Sequence, residues 1–218
     1  MQERIKNFLI GNGAGQVGFF KAGEDNPFGL TYGISFTIPL SDAIVDSIGD
    51  EPTHTYFHHY RSVNTLIDNI SLKAGIILGK EGFKYVPVPA SQSVNGLQGI
   101  FSHKYGAYLA GLGYVGRSGL FVSSQNGPRV RLGTILTDYP FLCNEEMVPF
   151  SCGDCKLCTV SCPAMAIRGE NWNPGEDRER IIDAKACSDF MKKKFQHIGR
   201  GVVCGICMKV CPKGQKMT

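Results

Sequence analysis

Cys152-Gly-Asp-Cys155-Lys-Leu-Cys158-Thr-Val-Ser-Cys162-Pro163 is the stretch on which the reading of this chain turns. It spells C-x2-C-x2-C-x3-C-P. Near the other end, Cys204-Gly-Ile-Cys207-Met-Lys-Val-Cys211-Pro212 repeats the C-x2-C-x3-C-P part. Cysteines at two-residue gaps place their thiolates around one iron–sulfur cube, while a fourth, three residues on and followed by proline, turns away to a second cube. With Cys187 the thiols divide into two quartets. Cys152, Cys155, Cys158 and Cys211 are expected to hold one [4Fe–4S] cluster, and Cys162, Cys187, Cys204 and Cys207 the other. Zinc is the main rival, because four-cysteine zinc sites also use paired C-x2-C. The third cysteine at the same gap and the doubled C-x3-C-P tail favour clusters. A disulfide framework fits least well, since Met1-Gln-Glu-Arg opens no apolar signal segment and the thiols are expected in a reducing, cytoplasmic compartment. Cys143, the ninth cysteine, reads as a small hydrophobe.

The module from about residue 150 to 218 is therefore expected to be ferredoxin-like, folded largely by its metal. Ahead of it, residues 1–140 offer enough chain for a separate domain. Hydrophobic residues make up 43% and charged residues 19%, a globular composition. No apolar run is long enough to span a bilayer. The net charge of +4 is uneven: Ala184–Thr218 carries +7 and the remainder −3. Cations near clusters of net negative charge explain this locally. A docking face for RNA or for an acidic electron donor of ferredoxin or flavodoxin type explains it functionally.

Residues 2–10 read as a helix with Ile5, Phe8 and Leu9 on one face, stopped by Gly11 and Gly13. Gln16–Ala22 and Gly29–Pro39 read as strands, and Asp42–Ile48 as a short helix. In Thr53–Gly79, Tyr56, Tyr60, Val63, Ile67, Ile70, Ala74 and Ile77 recur at helical gaps. Phe83–Val86 is expected as a strand ended by Pro87, and Leu97–Leu109 as a helix. Leu120–Ser124 and Arg129–Thr137 read as strands, with Asn126-Gly127 as a hairpin signal between them. Tyr139–Val148 is the candidate linker, and Asp177–Phe195 the helix that carries Cys187. Strands alternating with helices up to about residue 140 indicate an α/β or α+β domain.

A second signal lies in Ala110-Gly-Leu-Gly-Tyr-Val-Gly-Arg-Ser-Gly-Leu-Phe-Val122 and Arg129-Val-Arg-Leu-Gly-Thr-Ile-Leu-Thr-Asp138. Glycines at 111, 113 and 116 match G-x-G-x-x-G, but they follow a helix rather than a strand, so this is no dinucleotide fingerprint. Taken with the cysteines and Ile181-Ile-Asp-Ala-Lys-Ala-Cys187, the stretch resembles the epoxyqueuosine reductase family and the related reductive dehalogenases. The resemblance implies an α+β fold: an α/β-like, nitroreductase-type N-terminal domain followed by the two-cluster module. It also implies a cobalamin cofactor reduced by the nearer cluster, with Gly111, Gly113, Gly116, Leu132, Gly133 and Thr134 lining the corrinoid. FMN is the alternative occupant. The chain departs from the family at Val86-Pro-Val-Pro-Ala-Ser91, which has no acid where the family carries a proton-donating Asp. It also lacks the C-terminal helical extension and the twin-arginine signal, and so reads as a compact relative.

Proton donors for a reduction are sought among His58, His59, His103, Tyr32, Tyr105 and Asp138. His103 and Tyr105, two helical turns ahead of the glycine loop, are preferred as catalytic residues. The expected function is an iron–sulfur oxidoreductase that passes electrons to a corrinoid and then to a small or nucleoside substrate, tRNA included. The alternative is an electron-transfer protein that serves a corrinoid protein or another partner and has no substrate of its own.

Overall fold

Tyr32–Pro39 and Val130–Thr137 are the two longest strands, and six and seven of their eight residues are buried. Strands covered on both faces belong in the middle of a sheet, and that is where they lie. This computed structural model describes residues 1–94 and 96–215. Its elements run α1 (Gln2–Gly11), β1 (Gln16–Lys21), β2 (Tyr32–Pro39), α2 (Asp42–Asp46), α3 (His54–Lys80), β3 (Tyr85–Val88), α4 (His103–Leu109), β4 (Gly113–Val115), β5 (Phe121–Ser123), β6 (Val130–Thr137), α5 (Leu157–Val160), α6 (Ala184–Phe195) and α7 (Ile206–Lys209). The main sheet has the order β1-β2-β6-β3, and β4 and β5 form a second, two-stranded sheet. Every pairing in the main sheet is antiparallel. The mixture of helix and sheet is thus of α+β type, without the parallel crossovers of an α/β fold.

The register explains two glycines. Phe20 stands opposite Gly33, and Phe36 opposite Gly133. A Cβ at Gly133 would stand 2.1 Å from the Phe36 ring, and one at Gly33 2.3 Å from the Phe20 ring. Each strand glycine leaves the space that its cross-strand aromatic fills. On α3, Gly75 and Gly79 are one turn apart and receive the Tyr85 ring in the same way.

Four expectations change. The third strand runs from Tyr85 to Val88 and contains Pro87; an edge strand tolerates the missing donor. Only His103–Leu109 of the expected 97–109 helix is helical. Its N-cap is Ser102, whose hydroxyl accepts from Tyr105 N. Gly96 (φ +65°) and Gly99 precede it, and their freedom stops the helix from extending backward. Asn126-Gly127 does close a tight turn, with paired backbone bonds between Ser123 and Gly127. The chain then leaves β5, which pairs with β4, and enters the main sheet as β6. The helix expected from Asp177 starts at Ala184, with the Asp183 carboxylate accepting from Ala186 N as its cap.

Two compact units form, and they interleave along the chain. The first comprises residues 1–39, 63–114 and 130–149, and the second residues 40–62, 115–129 and 150 onward. In the first, Phe20, Ile34, Phe36, Ile135 and Leu136 of the sheet are buried, as are Ile67, Ile70, Ala74 and Leu78 of α3. The second unit has a small apolar cluster of Phe195, Ile198 and Val202 with Phe57, Phe190 and Met191. No described helix is long and apolar enough to cross a membrane.

Gly127 is the sharpest local constraint of the second unit. Its φ is +56°, and a Cβ there would stand 2.1 Å from the Lys213 carbonyl oxygen. Left-handed strain and a backbone clash add, so Gly127→Ala should lose about 2–4 kcal/mol of stability. Chemical denaturation, followed by circular dichroism, reads this directly.

Candidate metal centre

All eight cysteines of the expected quartets lie in the second unit. Cys158 and Cys211 are each repelled by Cys152 and Cys155, and also by one another in the case of Cys211. Cys187 is repelled by Cys162, and Cys204 by Cys187 and Cys162. Cys207 feels Cys204, Cys187 and Cys162, and also Cys158 of the other expected set. All nine cysteines are free thiols. Among the described residues no three His, Cys, Asp or Glu side chains draw together as around a single ion. A cube of irons and sulfides is wider than one ion, and its thiolates stand further apart.

Burial is the first cause that raises the Cys158, Cys187, Cys204, Cys207 and Cys211 thiols, ahead of repulsion among them. It pushes Cys204 to about 11 and Cys207 higher still. Metal-free, both hold their protons, and cluster assembly must release them. The surroundings supply donors to the sulfurs. Ala166 N donates to Cys162 Sγ at 3.4 Å. Backbone N–H bonds from Ile206 and Lys213 act to lower the Cys204 and Cys211 thiols. The residues present therefore fit two thiolate-held clusters.

The glycine loop divides between the units. In the first, Gly111 ends α4 in a left-handed conformation (φ +70°), and a Cβ there would meet Asn144 Nδ2 at 2.6 Å. In the second, a Cβ on Gly116 would meet Val122 at 2.9 Å and Cys152 Sγ at 3.5 Å. Gly116 thus lies against a cluster thiol. Arg117 follows it and is 8% exposed. Its Nη1 donates to Cys155 O at 2.7 Å, and Nε and Nη2 donate to Asn171 Oδ1 at 3.1 and 2.8 Å. Sequence reading quoted Arg117 only as part of a motif. Its place directly after Gly116 was the available signal.

The other candidates lie in the first unit. Leu132, Gly133 and Thr134 sit on β6 beside β2, and β3 reaches only as far as Thr134. His103 joins Thr134: its Nδ1 lies 2.8 Å from Thr134 Oγ1, and its Nε2 3.0 Å from Pro89 O. A carbonyl only accepts, so Nε2 carries the proton and Nδ1 accepts from the hydroxyl. Burial lowers the His103 pKa. The Pro89 bond and Asp68 oppose that shift, and Arg131 adds to it. Tyr105 is 40% exposed, with its backbone N–H on the Ser102 cap. The 86–91 segment has no acid of its own, but Asp68 of α3 accepts from Ala90 N at 2.8 Å. His58 and His59, by contrast, belong to the second unit, where His59 Nε2 accepts from Ser41 N. Asp138 accepts from Lys84 N. Cys143 donates to Phe141 O, and burial raises its thiol, as suits an unreactive position.

The family profile of the 4Fe-4S double cluster binding domain matches residues 151–214. The epoxyqueuosine reductase of Staphylococcus aureus is 31% identical over 119 residues, 54% of this chain and 30% of that protein. The epoxyqueuosine reductase of Vibrio cholerae is 27% identical over 175 residues, 74% of this chain and 43% of that protein. Among solved structures, a reductive dehalogenase described as suggesting a mechanism for B12-dependent dehalogenation superposes with a TM-score of 0.81. It is 19% identical over 99% of this chain and 32% of that one, a likeness of fold. The chain spans less than half the length of the curated relatives it matches. The resemblance carried by the glycine loop, the β6 strand and the cysteines is borne out.

Cys155→Ser or Cys207→Ser should each cost the chain one cluster, leaving roughly four irons rather than eight after anaerobic reconstitution. Iron and sulfide analysis reads the loss. His103 titrates below its unfolded value, so its contribution to stability is present above that value and is lost as pH falls through it toward the folded one. The stability lost between pH 7.5 and 5.5 should therefore be smaller in His103→Gln than in the parent chain.

Proposed function

We propose that this relative of the epoxyqueuosine reductases and reductive dehalogenases is an iron–sulfur reductase that passes electrons through its two clusters to a corrinoid and from there to a substrate. What carries the reading is the double 4Fe-4S cluster profile over residues 151–214, with Cys207 within electrostatic reach of Cys158 as well as of Cys162, Cys187 and Cys204, because two cubes side by side make a path for single electrons. The named relatives are reductases, and one dehalogenase neighbour is described as B12-dependent. A bound corrinoid supplies a cobalt that can be reduced to a strong nucleophile.

The chain's own residues would hold that ring through backbone and apolar surface, as cofactor sites usually do. Gly111 and Gly133 offer backbone whose Cβ directions Asn144 and Phe36 already fill. Gly113 and Leu132 are buried beside them in sequence. Thr134 offers a hydroxyl whose proton His103 takes as a hydrogen bond, so His103 orients Thr134. Tyr105, on the exposed side of α4, is left as the better proton source. Gly116, packed on Cys152, serves the cluster side. The first unit is read as nitroreductase-type, with FMN as the other occupant to test. The electron donor is read as an external ferredoxin or flavodoxin, the substrate as a small molecule, a nucleoside or tRNA, and the setting as cytoplasmic because the thiols must stay reduced.

A second reading has one observation in its favour. The 86–91 segment lacks an acid, and the packing of Gly111, Gly116 and Gly133 is explained without any ring. On that reading the protein delivers electrons to a partner, such as a corrinoid protein, and reduces nothing else.

Iron, sulfide, cobalt and flavin counted per chain after anaerobic purification separate these readings. Titration of the reduced protein with cobalamin, followed by visible absorption, completes the test. The proposal expects about eight irons per chain, binding at micromolar protein and reduction of the added cobalt. Full iron with no cobalamin binding and no cobalt reduction overturns it and leaves the partner-reductase reading.

A further inference from the structure

We infer that Arg117 is the buried counter-ion of the Cys152/Cys155/Cys158/Cys211 cluster and holds its reduction potential up. The inference rests on those four thiols ligating a cluster, and on nothing about the corrinoid. The guanidinium is always charged and is 8% exposed. Its hydrogen-bond partners among the described residues are neutral: the Asn171 side-chain oxygen and the Cys155 carbonyl. The Phe150 ring lies 5.9 Å from its centre. No carboxylate pairs with it among the described residues, in contrast to Arg129, which has Asp42 and Asp46. A buried cation without a compensating anion is costly. The negative charge at hand is that of the thiolate-ligated cluster. Two contacts place the residue there: Arg117 bonds the carbonyl of Cys155, and Gly116 packs on Cys152 Sγ.

Sign follows from charge. Reduction places one more electron on the cluster, supplied by the external donor or by dithionite in a titration. A fixed cation stabilises the more negative state, so it raises the potential, and its removal lowers it. A role as a mere strap for the Cys152–Cys158 loop makes a different demand. A strap needs the fork-shaped hydrogen bonds, whereas a counter-ion needs the charge.

The test is an EPR-monitored redox titration of the reconstituted protein, with iron counted first so that loss of the cluster is not read as a change in potential. Arg117→Gln removes the charge, Arg117→Lys keeps it without the fork, and Asn171→Ala removes a neutral partner. The expected result is that R117Q with full iron lowers one midpoint and leaves the other. At the parental midpoint the ratio of reduced to oxidised cluster should fall about tenfold, or about 59 mV for a one-electron couple. R117K and N171A should stay near the parental value. The inference is overturned if R117Q with full iron keeps both midpoints, or if R117K and N171A shift as far as R117Q does. Should R117Q fail to hold iron, Asn171→Asp decides: a carboxylate set against the guanidinium must lower the same midpoint, and an unchanged midpoint overturns the inference.

Discussion

A double 4Fe–4S cluster module built on two cysteine-rich segments is the constraint on which the second unit depends. Cys211 lies within electrostatic reach of Cys152, Cys155 and Cys158, and Cys162 within reach of Cys187, Cys204 and Cys207. The double cluster profile spans segments some fifty residues apart in sequence, and buried apolar residues such as Ile167, Ile181, Ile206 and Met208 lie among them. One apolar cluster of this unit is built around Phe195, Ile198 and Val202. Burial raises the Cys158, Cys187, Cys204, Cys207 and Cys211 thiols, and cluster assembly must release their protons.

Around that constraint the chain places small residues where backbone must come close. Gly116 admits Cys152 Sγ and Val122, Gly127 admits the Lys213 carbonyl, and Gly205 admits the Tyr56 ring. Two of these come from the stretch 115–129 that lies ahead of the cysteine arms, as does the buried Arg117. The cluster environment is thus assembled by residues that carry no metal-binding signature themselves. A hydrogen-bonded cation and N–H···S bonds are the levers by which a protein tunes such a centre, and both are present here.

The first unit follows other rules. Its sheet is made by cross-strand pairs in which a glycine faces an aromatic ring, Gly33 with Phe20 and Gly133 with Phe36. Gly133, which stands out in sequence as part of a family-like strand, has this packing duty whatever else it does. His103 and Thr134 are chosen separately from the sequence, and their hydrogen bond ties α4 to the middle of the sheet. With the Pro89 carbonyl on Nε2, both ring nitrogens of His103 are engaged.

The sequence by itself determined that a double 4Fe–4S module occupies residues 151–214, because thiolate spacing along a short loop is a local property and the cube accepts few spacings. It also determined the long helix α3, the first two strands and the strand at 130–137, where apolar periodicity spoke plainly. Only the tertiary structure decided that Asn126-Gly127 closes a turn without making a hairpin, since strand partners are chosen by burial over long range and β6 gains more between β2 and β3. Only it showed the packing units interleaving along the chain, and Arg117 reaching the Cys155 carbonyl. A side chain's neighbours across fifty residues leave no mark in spacing or propensity. They follow from where the backbone lies once the metal loops and the sheet have both closed.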